Sequence, residues 1–343
     1  MHRLLAVAAV VLTTAAITVP AMAQEFYRGK QMKLIVGSAA GGGYDLYARM
    51  MQRYMPKYIP GNPSIVVMNM PGAGGLIAAN NIANLAEKDG LVFGAFNRYS
   101  SVMPLLGDEQ AKFKTEEFQW IGTTASYSDN AYLLVIRGAL PHMTVADMRN
   151  PAMTLNIGSS GTDVPAILKE ALGLNFKLIS GYKGGNDLEL AFERGEVDGH
   201  TSGYTSIVSR HGDWLGQGQI RPMIQFGRVE RMAILKDVPT ARELAETLAD
   251  RALIEFAEVP LLMARPFAAP PGVPLERAKI LREAFLKVVA DRDYLEEGEK
   301  QKLELTPKSG EEVQAIVASL ATVEPAVVQR YLKALGGKLP SGN

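Results

Sequence analysis

The chain of 343 residues contains no cysteine. That excludes disulfide staples, thiolate metal sites, cysteine nucleophiles and a lipid-anchored N-terminal cysteine. An excess of one charge is also missing, since 36 Lys and Arg stand against 36 Asp and Glu. A balanced chain has no global field to draw in nucleic acid or an anionic membrane. With two Trp and no long basic run, no nucleic-acid partner is expected. Histidine is scarce: there are four, and His142, His200 and His211 are too scattered along the chain for a metal set. Neither a G-x-S-x-G elbow nor an H-E-x-x-H helix occurs. The expectation is therefore no cofactor, no metal and no catalytic residue. Ser209, His211 and Asp213 are hydrolase residue types, but two apart on one segment they read as a polar turn. A secreted hydrolase using them remains the rival class of function.

What is present begins with a leader. Arg3 supplies a positive charge, residues 4–19 are apolar with interspersed Thr, and Ala21-Met22-Ala23 is an A-x-A cleavage site. This is the layout of a secretory signal peptide over residues 1–23, with Gln24 the first mature residue and the periplasm the destination. A membrane anchor is the competing reading, but the apolar run is short of the ~20 residues a span needs. Cleavage leaves 343 − 23 = 320 residues, room for two domains at about 150 residues each. The 47% hydrophobic content supplies a core without disulfides.

Residues 33–37 (KLIVG), 64–70 (SIVVMNM) and 91–96 read as strands. Helical patterns lie between them, the first carrying Leu46, Met50, Tyr54 and Tyr58 and the second spanning residues 76–86. This alternation argues for a parallel sheet covered on both faces. The grammar restarts with strands at 132–136, 154–157, 176–180, 197–202 and 220–226 and helices between. Apolar strand character returns at 259–264 (VPLLMA), before an amphipathic helix carrying Leu275, Ala278, Leu281, Phe285 and Val288.

Two strand–turn–helix loops carry the chemistry. The first, Ala39, Ala40, Gly41, Gly42 and Gly43, then Tyr44 and Asp45, offers backbone N–H groups at a helix N-terminus, where the macrodipole amounts to about +0.5 of a charge. It holds no Lys or Arg, so an anion there is met by amides and water. Asp45 either stabilises the first helical turn or accepts a hydrogen bond from a ligand or water. The second loop, Ser159, Ser160, Gly161, Thr162 and Asp163, repeats the device, with Ser160 or Thr162 also suited to cap the following helix. Loops at the carboxyl ends of parallel strands are where open α/β sheets bind ligands. In "GYKGG", Tyr182 is readily presented to a cleft, and Lys183 is either a surface lysine or the partner of a second acidic group. "PGAGG" at residues 71–75 fails the dinucleotide fingerprint, because Ile77 takes its third glycine position and no acid follows the next strand. It reads as a tight turn that lets helix and sheet approach closely.

The blocks "GGGYDLYARM", "SIVVMNMPGAGGLIAANNIA", "SGYKGGNDLELAFERGEVDG", "DVPTARE" and "PFAAPPGVP", in this order over residues 33–320, resemble the solute-binding proteins of tripartite tricarboxylate transporters, the Bug or TctC-like family. The resemblance implies an α/β fold of the periplasmic-binding-protein type II, a clamshell with a parallel-rich sheet in each domain and crossing hinge strands. The first domain would comprise residues 24–131 and 258–343 and the second 132–257, with the crossings near 132–136 and 259–264 and a ligand cleft between. It implies a monomer that binds a small mono-, di- or tricarboxylate chiefly through main-chain amides and ordered water, then delivers it to the membrane subunits of the transporter. By position, Ala39 to Asp45 form one jaw and Ser159 to Asp163 the other. Tyr182, Lys183, Gly184, Thr201, Ser202 and Tyr204 line the distal end, and Asn97 joins them. The chain departs from the family pattern where Ser38, Ala39 and Ala40 replace the usual prolines and where Ser202 stands in place of a frequent acid. A sensory module for a membrane receptor needs the same clamshell and is the remaining alternative.

Overall fold

The computed structural model describes residues 26–141, 144–159, 163–182 and 185–339. The leader expected at 1–23 lies outside them, as do Ser160, Gly161, Thr162, Lys183, Gly184 and His142.

The first sheet opens with β1 (Gln31–Val36), followed by helix α1 (Gly43–Tyr54), β2 (Ser64–Asn69), α2 (Leu76–Asn84), β3 (Val92–Ala95) and β4 (Gln119–Thr123). β2, β1 and β3 run parallel, with Leu34 opposite both Val67 and Phe93. β1 buries every residue from Leu34 to Val36 and β3 all four of its residues, because helices cover both faces of a parallel core.

The second sheet takes β5 (Tyr132–Arg137), β6 (Leu155–Gly158), α3 (Val164–Leu172), β7 (Phe176–Ile179), α4 (Gly185–Glu193), β8 (Gly199–Gly203), α5 (Tyr204–Gly216) and β9 (Ile220–Phe226). Its strand order is β7-β6-β8-β5-β9. The sheet is mixed: β6 is parallel to β7 and β8, while β5 is antiparallel to β8 and β9. The chain then forms α6 (Ala241–Leu244), α7 (Leu248–Leu262), β10 (Pro266–Ala269), α8 (Leu275–Val289), α9 (Arg292–Lys300), β11 (Lys308–Ser309), α10 (Gly310–Ser319) and α11 (Pro325–Ala334). β10 and β11 return to the first sheet, whose order is β11-β4-β10-β3-β1-β2, and both enter it antiparallel.

Residues 259–264, read as a strand, mostly belong to helix α7. The run is buried against α3 and α11, so it is apolar on every face and loses the 3.6-residue periodicity that marks a helix. Pro260 is tolerated in the last turn, where only one intrahelical bond is lost.

Three passes of chain meet between the sheets. Thr124 N–H donates to Arg265 O at 3.2 Å, Ala264 N–H to Ala125 O at 3.0 Å and Tyr127 N–H to Leu261 O at 3.0 Å. Thr306 Oγ1 joins them, accepting from Ser126 N–H and donating to Ser126 O, both at 2.8 Å. α11 then packs on α3 and α7, and the Tyr331 hydroxyl reaches Asp163 at 2.5 Å.

Candidate functional site

The first glycine loop follows β1 and ends at the N-terminus of α1. Gly41 takes φ +77°, a conformation glycine adopts at little cost. Its N–H donates to Asp45 Oδ2 at 2.8 Å. The buried Asp45 carboxylate also accepts from Arg49 Nε at 2.8 Å and Asn69 Nδ2 at 2.8 Å. Burial alone would raise this carboxyl, but the bonds from Arg49, Gly41 and Asn69 outweigh it and hold it below the usual range. Asp45 thus braces the loop. Gly75, at φ +94°, lies where a Cβ would come within 2.9 Å of Asn97 Cβ and 3.3 Å of Gly37 O. The PGAGG turn is the place of close approach beneath the loop.

Asn97 follows β3, is buried, and accepts from Tyr99 N–H at 3.0 Å, capping a 3-10 turn over Arg98–Ser101. That turn brings Arg98 beside Tyr44, whose hydroxyl accepts from Arg98 N–H at 3.0 Å. Arg265, next to β10, reaches the same place from the other side. Its guanidinium carbon lies 4.8 Å from the Tyr44 ring centroid and 5.3 Å from that of Tyr47. A Cβ on Gly43 would stand 3.7 Å from its Nη2. The loop that holds no basic residue in sequence therefore has a guanidinium against its last glycine in space.

The second sheet closes the arrangement. Tyr127 and Tyr132 pack edge to face at 5.1 Å, and Gly203, at the end of β8, leaves room for the Tyr127 ring, 2.8 Å from where its Cβ would be. Thr201 is buried and Ser202 and Tyr204 are half-buried beside it. Asp163, at the start of α3, accepts the Tyr99 hydroxyl at 2.5 Å as well as that of Tyr331. Burial pushes its carboxyl up, against the pull of the two hydroxyls and Arg98. Ser159 lies at the end of β6, its N–H donating to Ile179 O at 2.9 Å. Tyr182 packs against the cluster around Leu133 and Phe192.

Glu304 sits at the third pass between the sheets, where its N–H donates to the Tyr47 hydroxyl at 3.0 Å. Burial pushes its carboxyl up to about 7, with Arg265 acting in the opposite sense. Sequence reasoning missed Arg98, Arg265 and Glu304. For Arg98 a signal existed, since it directly follows a parallel strand and a residue already singled out; for Arg265, misreading the preceding helix as a strand hid its place at the start of β10.

Ser209, His211 and Asp213 lie on helix α5, which kinks at His211, where φ −125° and ψ 24° leave the helical region. Ser209 and Asp213, four residues apart, face solvent, while His211 is buried on the opposite side. His211 Nε2 stands 3.0 Å and His200 Nε2 3.5 Å from Glu189 Oε2. Among the described residues no group of His, Asp and Glu is arranged to hold a metal, and no helix is long and apolar enough to cross a membrane.

Two mixed α/β sheets, three passes of chain between them and strand-end loops meeting at their junction define a two-domain binding-protein fold of the clamshell kind. Residues 47–330 match the family described as tripartite tricarboxylate transporter family receptor. The chain belongs to that family of solute-binding proteins. A TctC solute-binding protein from Polaromonas superposes with a TM-score of 0.69 at 20% identity, over 91% of this chain and 100% of that one. The R. palustris protein Rpa4515, solved with adipate, gives 0.61 at 21% identity over 90% and 97%. A UPF0065 protein from the TAR-I ttuE-ttuC' intergenic region of Agrobacterium vitis is 27% identical over 244 residues, 68% of this chain and 67% of its own length.

Proposed function

We propose that this chain is a periplasmic receptor, exported with cleavage after Ala23, that captures a small organic acid between its lobes and delivers it to the membrane subunits of a tripartite tricarboxylate-type transporter. It works as a monomer and performs no chemistry on the ligand. The two lobes are residues 24–131 with 258–343 and residues 132–257. The carrying observation is convergence: the glycine loop before α1, the Asn97–Tyr99 turn and the end of β8 meet around Tyr44, Tyr127 and Tyr132. Amides at a helix N-terminus suit a carboxylate, and lobe closure would remove it from water. Rpa4515 was solved with the dicarboxylate adipate, which supports that ligand class here.

The test is calorimetric titration of the mature protein, refolded to strip carried-over ligand, with mono-, di- and tricarboxylates. Micromolar or tighter binding to one class, without turnover by NMR, is the expected result. Gly42→Asp places a charge in the loop and a Cβ 3.2 Å from Ala39 O, and should abolish binding while the circular dichroism spectrum persists. Unchanged affinity in that variant would sink the assignment of the loop.

A further inference from the structure

Among the described residues, two arginines at the site have no partner of opposite charge. Arg98 is 7% exposed, and its Nε is buried without an acceptor. Its guanidinium lies 5.2 Å from the ring centroid of Tyr99, in its own turn, and 5.7 Å from that of Tyr132 on β5 of the second sheet. Arg265 Nε is likewise buried without an acceptor. Its Nη1 donates to the adjoining Ala264 O at 2.8 Å, and its Nη2 lies against Gly43. The acids that act on the two guanidinium groups do so through space: Asp163, its oxygens taken by two tyrosine hydroxyls, on Arg98, and Glu304 on both Arg265 and Arg98.

Taking a guanidinium out of water without a hydrogen-bonded counter-charge is unfavourable, and tyrosine faces offset only part of the loss. A protein keeps such a group where another molecule completes it. Arg is also the side chain whose rigid fork of donors matches a carboxylate. Tyr44 contacts both residues, its ring on the Arg265 guanidinium and its hydroxyl on the Arg98 backbone amide, so the two arginines converge on it as separate side chains.

We propose that Arg265, together with the amides around Gly43, and Arg98 each hold one anionic group of the ligand, so that the site selects a dianion over a monoanion of the same size. This rests on the carboxylate-receptor reading above and adds direct cationic contacts to the amide cradles. Tyr132 covering Arg98 ties the second contact to closure of the lobes.

The experiment titrates straight-chain dicarboxylates from succinate to suberate, and monocarboxylates of matched length, into the wild type, Arg98→Gln, Arg265→Gln and the corresponding Lys variants. Ligand-free melting is recorded for each protein. The expected result is a wild-type preference for one diacid over its matched monoacid of about tenfold or more, lost in both Gln variants and only partly kept by Lys. The ligand-free melting temperature of Arg98→Gln should be unchanged or higher, since an unpaired buried charge is relieved, and that of the variant at half-buried Arg265 unchanged. Carboxylate binding without a preference for two charges, or a preference that survives both Gln variants, would overturn the proposal and leave the receptor reading intact. A lower ligand-free melting temperature in the Gln variants would make the arginines structural and overturn it as well. Silence of the wild type toward every acid would remove the receptor reading itself.

Discussion

Asp45 shows how one side chain can serve a binding loop from beneath. Its oxygens take the Gly41 amide, Arg49 and Asn69, so it sets the direction of the remaining loop amides. Removing it leaves the exposed Gly41 N–H to water and the half-buried Asn69 amide to Ser38 O alone, a loss of about 0.5–1.5 kcal/mol for each hydrogen bond. Asp45→Ala should lower the urea midpoint accordingly and weaken carboxylate binding with no change of ligand preference, measured by denaturation and calorimetry. A variant of normal stability and normal affinity would contradict the bracing role. In sequence both readings of Asp45 were open, because a first-turn acid is favourable on any helix; the structure adds three specific donors on its carboxylate.

Helix α11 is the element whose place the sequence concealed. It packs on α3 and α7 and sends Tyr331 to the carboxylate at the start of α3, a contact between residues 168 positions apart that no local pattern marks. The Tyr331 ring also meets Phe256 of α7 edge to face, with centroids 5.0 Å apart. Tyr331→Phe keeps that packing and removes one charge-assisted hydrogen bond, worth about 1.5–3 kcal/mol. The expected outcome is a stability loss of that size by chemical denaturation, with α11 amides exchanging faster with solvent. The misread segment at residues 259–264 belongs to the same lesson. Where a helix is enclosed by two others its apolar face is the whole circumference, and composition alone imitates a buried strand.

For the whole molecule, opposing sets of carboxyl groups set the pH range of stability. Burial raises Glu258 and Glu304 to about 7 from an ordinary 4.5, and raises Asp163 too. These groups favour the folded state most when protonated, so their contribution is present at acidic pH and is lost as pH rises through about 7. Asp291 runs the other way. Burial would raise it, but hydrogen bonds from Lys57, Tyr58 and the start of α9 hold it at about 2. Its contribution is present above the unfolded value of 3.8 and is lost as pH falls toward 2. Together they predict a maximum of melting temperature at roughly pH 4, where the Asp291 gain is nearly complete and the glutamate loss has not yet set in, with a decline from there to about pH 7. Glu304→Gln should flatten the decline on the neutral side, read by a melting series across pH; a curve with its maximum above neutrality would refute this account.

The alternation of strands and helices, the glycine turn before α1 and the family were legible in the linear sequence. Each is written in contiguous residues: burial on both faces of a parallel strand makes an apolar run, and a glycine row before a helix offers amides wherever it occurs. The sequence also showed that neither loop contains a basic side chain. Only the tertiary structure brought Arg98 and Arg265 to Tyr44, Tyr331 to Asp163, and Glu304 to the junction of the sheets. These contacts join residues far apart in the chain. Their charges act through distance and burial, quantities that depend on which strand ends the topology places together.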